Sequence, residues 1–149
     1  ELEELFGKMF EFSKKAPFPI KTTEGQSYRR YVWQRASVRE DDRVTNLPSF
    51  SQTVNDGKGF VFISHMGEIC PSGFLPYIAG NTRVDELLDV YRNSSIFREL
   101  RDSSRLKGKC GRCEFKELCG GSRARAYALT GDYLAAEPFC AYEPPGTIC

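Results

Sequence analysis

The 149-residue sequence predicts an α+β chain: a helix and a short strand, then a small module built from one β-hairpin and short helices. Three observations carry that prediction. Apolar residues recur at helical spacing near the start, a β-rich run broken once by glycine lies in the middle, and all six cysteines fall after residue 69.

Leu2, Leu5, Phe6, Met9 and Phe10 stand at i, i+3, i+4, i+7 and i+8, which lines one face of a helix running to about Ser13. Lys14 and Lys15 suit its C-terminal end, and Pro17 stops it. Ile20-Lys21-Thr22-Thr23 then reads as a short strand, and residues 37–58 as a polar linker or loop without an apolar period. Gly59-Phe60-Val61-Phe62-Ile63, a turn at His65-Met66-Gly67 and Glu68-Ile69-Cys70 form the expected hairpin. Val84, Leu87, Leu88 and Tyr91 mark one helix and Ile96, Phe97 and Leu100 a second, with Asn93-Ser94 between them. Gly108 to Gly121 is turn-rich, Ser122 to Leu129 reads as a helix of small residues, and Gly131 ends it.

A net charge of +1 gives no electrostatic case for nucleic acid or an anionic membrane as partner. Apolar runs such as Phe60 to Ile63 fall far short of the ~20 residues that span a bilayer. The start is acidic, without an initiator Met, a basic n-region or a small-residue cleavage site, so the expectation is a cytoplasmic protein and a piece of a longer one.

The chemistry concentrates in Cys110-Gly111-Arg112-Cys113, Cys119 five residues on, and Cys140 after twenty more. A short loop aims the first two thiolates at one centre, the third comes from the end of that loop, and the last returns after a helix. Three readings compete. A disulfide framework suits a secreted domain and lacks a signal peptide here. Structural zinc usually takes two C-x2–4-C knuckles, and only one is present. An iron–sulfur cluster tolerates uneven spacing and a distant fourth cysteine. His65, the lone histidine, lies at the expected turn, so no His/Cys dyad or triad assembles from it. Cys149 falls in a terminal tail, residues 145–149.

Residues 59–144 resemble the SPASM domain, the C-terminal auxiliary-cluster module of radical S-adenosylmethionine enzymes found in peptide maturases, anaerobic sulfatase-maturating enzymes and haem-pathway radical enzymes. That pattern runs C-x9–15-G-x4-C, a gap, C-x2-C-x5-C-x3-C, a gap, and a final C. Cys110-x2-Cys113-x5-Cys119 matches it without a break, and Gly80-Asn81-Thr82-Arg83, Phe97-Arg98, the run from Cys119 to Tyr127, Gly131-Asp132 and Pro138-Phe139-Cys140 resemble the surrounding text. Two positions depart from it: Asp85 and Arg123 stand where cysteines are expected.

The resemblance implies one [4Fe–4S] cluster in this chain, held by Cys110, Cys113, Cys119 and Cys140. Cys70 loses its partners and is either a packed hairpin cysteine or an extra ligand, with Asp85 a weaker oxygen candidate. Residues 1–36 resemble, less closely, the last helix and strand of the partial TIM-type barrel. By that analogy Lys21, Thr22, Thr23 and Glu24 border an S-adenosylmethionine or substrate pocket, against the reading of an ordinary strand end. Arg29-Arg30 and Arg123 with Arg125 are candidates to clamp substrate carboxylates, against the reading of helix-surface arginines.

The implied activity is radical chemistry on a peptide or tetrapyrrole-like substrate, with S-adenosylmethionine and a second [4Fe–4S] cluster in an N-terminal part and a reductant such as ferredoxin or flavodoxin. The C-x3-C-x2-C loop of the radical-initiating cluster does not occur in this sequence. The competing readings are a non-catalytic zinc- or iron–sulfur-binding interaction module and a ferredoxin-like electron carrier.

Overall fold

The computed structural model describes residues 1–37 and 54–146. In chain order its elements are α1 (Leu2–Ser13), α2 (Ser27–Ser37), β1 (Phe62–Ile63), β2 (Glu68–Cys70), β3 (Gly80–Asn81), α3 (Leu87–Asn93), α4 (Ser95–Arg101), a 3₁₀ turn (Ser103–Arg105), α5 (Gly108–Arg112) and α6 (Arg123–Thr130). Helices and one antiparallel sheet, ordered β1-β2-β3, make the α+β arrangement that the sequence predicts. Most of the 37–58 linker and Cys149 lie outside the described residues.

α1 buries Phe6 and Phe10 of the anticipated stripe against Tyr28 of α2, while Leu2 and Leu5 stay exposed. The two helices are also tied by an ion pair between the buried Arg30 and Glu3. No strand forms over Ile20 to Thr23, which corrects the sequence expectation. The Thr22 hydroxyl instead donates to the Gly25 carbonyl at 3.0 Å, closing a turn in which Glu24 takes φ of 53°. The two residues between Pro19 and that turn, Ile20 and Lys21, find no partner strand among the described residues, and the backbone goes from the turn into α2.

The hairpin forms as expected, with Phe62 opposite Cys70 and Ile63 opposite Ile69, and His65 is exposed at its turn. β3 adds a third strand too short to leave an apolar pattern. Ile69 and Leu75 pack with Ile96, Phe97 and Leu100 of α4 and Ala124 of α6 to form the core of the module. α3 is less amphipathic than its spacing suggests: Leu87 packs on this core, Leu88 is half-exposed, and Val84 lies before the helix at 84% exposure. Burying a Phe, Leu or Ile side chain contributes roughly 1.5–3 kcal/mol, so α4, with three inward residues, anchors the module more than α3 does.

α6 is capped at both ends. Ser122 accepts the Arg125 N–H through its hydroxyl at 3.0 Å, and Gly131 adopts φ of 75°, donating its N–H to the Tyr127 carbonyl at 2.8 Å. A second cap comes from far away in sequence. The Asp56 carboxylate, buried, accepts the N–H groups of Arg123 and Ala124 at 3.1 and 3.2 Å. Residues 55–57 thus pack into the module with their polar groups turned inward, where the sequence suggests only a polar loop.

Candidate metal centre

α5 is a five-residue helix whose middle residue, Cys110, is buried. Gly111 follows it against the Leu106 carbonyl: a Cβ there would lie 2.2 Å from that oxygen, so the first intervening position of the C-x2-C knuckle admits no side chain. Cys113 caps the helix, and successive turns carry the chain on, with the Lys116 N–H on the Cys113 carbonyl and the Cys119 N–H on the Phe115 carbonyl. Gly120 and Gly121 then reverse it, both at φ of 65°. A Cβ on Gly121 would meet Glu137 Cβ at 2.7 Å and stand 3.5 Å from Cys110 Sγ, so this glycine keeps the backbone close against a thiol.

Cys110, Cys113, Cys119 and Cys140 line one pocket, together with Ser27, Arg30, Phe115, Glu137 and Tyr142. All four are free thiols. Two of them, Cys113 and Cys119, are held above the ordinary thiol range. Burial, then Glu114 and the thiols of Cys110 and Cys140, push Cys113 up. Burial pushes Cys119 up to about 11, with Cys140 and Cys110 adding to it and the Gly121 N–H and Ser27 hydroxyl working against it. With Cys113 and Cys119 pushed up, these two thiols give up their protons on binding metal rather than before it.

Donors to sulfur and cations surround the pocket. The Glu137 N–H donates to Cys110 Sγ at 3.2 Å, and the Phe115 N–H favours ionised Cys113. Lys109 donates to the Cys140 carbonyl and Lys116 to the Gly111 carbonyl, and both lysines line the pocket with Arg30. This donor set fits an iron–sulfur cluster, which gathers thiolates on several irons and takes N–H bonds at its sulfurs. Among the described residues, no three His, Cys, Asp or Glu side chains converge as a site for a single metal ion.

Glu137, 1% exposed, ties this centre to the fold. Its carboxylate accepts Arg125 Nε at 2.9 Å and Nη2 at 3.0 Å, the Ser122 N–H at 2.6 Å and the Phe139 N–H at 3.2 Å. The sequence reading misses Glu137 and Asp56, since a lone acid beside proline or glycine carries no motif. Only the placement of Glu137 three residues before Cys140 hints at it.

The remaining candidates divide. Cys70 is buried in β2 and does not line the cysteine pocket; burial, then Glu68, push its thiol up. Asp85 accepts the Asn81 N–H at 2.7 Å, capping the turn after β3 away from that pocket. Lys21 and Thr23 are exposed and Thr22 is spent on its turn, whereas Glu24 accepts the Ser122 hydroxyl beside α6. Burial raises Glu24 above the ordinary carboxylate range.

Arg125 pairs with Glu137, Arg30 with Glu3, and Arg29 Nη2 donates to the Val54 carbonyl at 2.5 Å. Arg123 is 2% exposed, with Nη1 on the Tyr133 and Ala135 carbonyls at 3.0 and 2.7 Å. These arginines brace the fold around the cysteines, where the sequence offered them as carboxylate clamps.

No family model matches the chain. It is 38% identical over 147 residues to the AdoMet-dependent heme synthase of Methanosarcina barkeri, covering 97% of this chain and 42% of that protein. The AdoMet-dependent heme synthase of Nitratidesulfovibrio vulgaris is also 38% identical, over 148 residues, covering 97% of this chain and 40% of its own length. The PqqA peptide cyclase of Bradyrhizobium diazoefficiens is 34% identical over 94 residues, 59% of this chain and 25% of that protein. The chain therefore spans less than half the length of these relatives. With similarity running through nearly all of it, and four thiols gathered on one pocket, the chain belongs to the radical S-adenosylmethionine enzymes as a SPASM-type C-terminal part.

Proposed function

We propose that this chain is the auxiliary-cluster region of a radical S-adenosylmethionine enzyme, with Cys110, Cys113, Cys119 and Cys140 as the ligands of one [4Fe–4S] cluster. The observation that carries this reading is the meeting of those four cysteines, drawn from α5, its following loop and the segment after α6, on one pocket rimmed by cations. Four thiolates on one zinc at ~2.3 Å each must crowd within a few ångströms, and zinc usually takes two knuckles where this chain has one. A cluster spreads its thiolates over separate irons and suits a wider set.

When bound, such a cluster supplies one-electron chemistry. The chain's own residues hold it, shield it with Phe115 and Tyr142, and donate N–H bonds to its ligand sulfurs from Glu137, Phe115 and Gly121. Ligation by four thiolates leaves no open iron, which favours electron transfer or structural support of the substrate site over direct substrate ligation. The substrate class is tetrapyrrole-like or a peptide. Heme synthases match across 97% of the chain and PqqA peptide cyclases across 59%, so the tetrapyrrole has the stronger support. Reduced ferredoxin or flavodoxin is the proposed electron donor.

The test is anaerobic reconstitution of the chain with iron and sulfide, followed by EPR after dithionite reduction. We expect about four iron and four sulfide per chain and a reduced-cluster signal that Cys113→Ala abolishes. Because the sequence has no C-x3-C-x2-C loop, the loaded chain alone should release no 5′-deoxyadenosine from S-adenosylmethionine. One zinc without acid-labile sulfide overturns the cluster reading, and 5′-deoxyadenosine release overturns the auxiliary role.

A further inference from the structure

We propose that Arg123 is the buried counter-charge of the cluster and, acting through Cys110, raises its reduction potential; this rests on the cluster reading above. Arg123 Nη2 lies 3.9 Å from Cys110 Sγ, on the protein side of that cysteine. Its other donors go to neutral groups: Nη1 to the Tyr133 and Ala135 carbonyls, and Nε to the Gly121 carbonyl at 3.4 Å. Among the described residues, no carboxylate pairs with this guanidinium. The two buried acids nearby are engaged elsewhere, Glu137 by Arg125 and Asp56 by the N–H groups that start α6.

A buried cation ringed by carbonyls and one sulfur, its one acidic neighbour Asp132 beyond contact and paired with Lys107, has no close opposite, which proteins seldom tolerate. Cys110 supplies that opposite once it is a thiolate. A thiolate-ligated cluster carries net negative charge, and a one-electron reduction adds one more. The nearby cation therefore favours the reduced state, and its removal makes the potential more negative. The sequence sharpens the point, because Arg123 stands where the SPASM pattern expects a cysteine. A fixed cation beside the ligand set takes the place of a thiolate.

The experiment is an EPR-monitored potentiometric titration, with dithionite as electron source, of reconstituted wild type, Arg123→Lys and Arg123→Gln, after iron and sulfide content are measured on each. We expect a midpoint in R123Q lowered by about tenfold in the one-electron equilibrium, or about 59 mV, with R123K between the two. A cluster-loaded R123Q with the wild-type midpoint overturns the proposal. If R123Q takes up no iron, wild type carrying arginine ¹⁵N-labelled in the guanidinium alone decides by pulsed EPR. A guanidinium-nitrogen coupling to the reduced cluster that persists in the Arg29→Lys, Arg30→Lys double variant supports the proposal, since Arg29 also faces Cys119, and its absence overturns it. Wild type that holds no iron and sulfide is a different result, since it removes the cluster reading itself.

Discussion

Replacing Glu137 by glutamine keeps the shape of the side chain and removes what it does. One carboxylate oxygen receives Arg125 Nε and the Phe139 N–H, and the other receives Arg125 Nη2 and the Ser122 N–H. Whichever way the new amide turns, its NH₂ group faces two donors that have lost their acceptor. A hydrogen bond to a charged group contributes ~1.5–3 kcal/mol, so two lost bonds cost about 3–6 kcal/mol. Arg125 is 29% exposed in its side chain, and water recovers part of that loss, which brings the expectation to roughly 3–5 kcal/mol, the range for breaking a buried pair. Urea unfolding followed by circular dichroism, with a slope of about 2 kcal/mol per molar, should show a midpoint lowered by ~2 M. A shift under about 0.5 M, equal to ~1 kcal/mol on that slope, would refute the claim that Glu137 joins α6 to the cysteine centre.

Gly121→Ala forces a Cβ to within 2.6 Å of Arg123 Nη2 at a φ of 65°. It should cost about 1–3 kcal/mol and lower iron uptake, read by thermal melting and iron analysis. Cys70→Ala, in contrast, should lower stability by only ~1 kcal/mol and leave iron and sulfide per chain unchanged, because that thiol packs in β2 away from the pocket. In the metal-free chain, Cys119 with its pKa near 11 holds about one part in a thousand as thiolate at pH 8. Iodoacetamide labelling of that residue, followed by peptide mass spectrometry, should accelerate about tenfold per pH unit up to about pH 11; full labelling at pH 8 on the time scale of an ordinary thiol would contradict the upward shift of Cys119.

Local rules made α1, the hairpin, α4 and α6 legible, since each writes its own signal within ten residues: apolar spacing, a glycine between β-rich runs, Ser122 before a helix and Gly131 after it. The four cysteines were legible for the same reason. What escaped depends on partners far along the chain. Asp56 is spent on the N–H groups of residues 123 and 124, and Glu24 on Ser122, pairings that no local pattern encodes. Ile20 to Thr23 has the composition of a strand, yet the Thr22 to Gly25 turn decides its backbone. β3 pairs through two residues only, and α5 hides among glycines that favour turns. Arg123 and Arg125 look like surface arginines until the fold buries one against Cys110 and pairs the other with Glu137.

The most direct measurement of the central claim is Mössbauer spectroscopy on the chain reconstituted with ⁵⁷Fe, run beside variants in which each cysteine is replaced singly by alanine. Wild type and Cys70→Ala should hold nearly all their iron in one [4Fe–4S] species, and Cys110→Ala, Cys113→Ala, Cys119→Ala and Cys140→Ala should each lose it. A [4Fe–4S] species that keeps nearly all its iron in any of those four variants, or that disappears with Cys70, would contradict that claim.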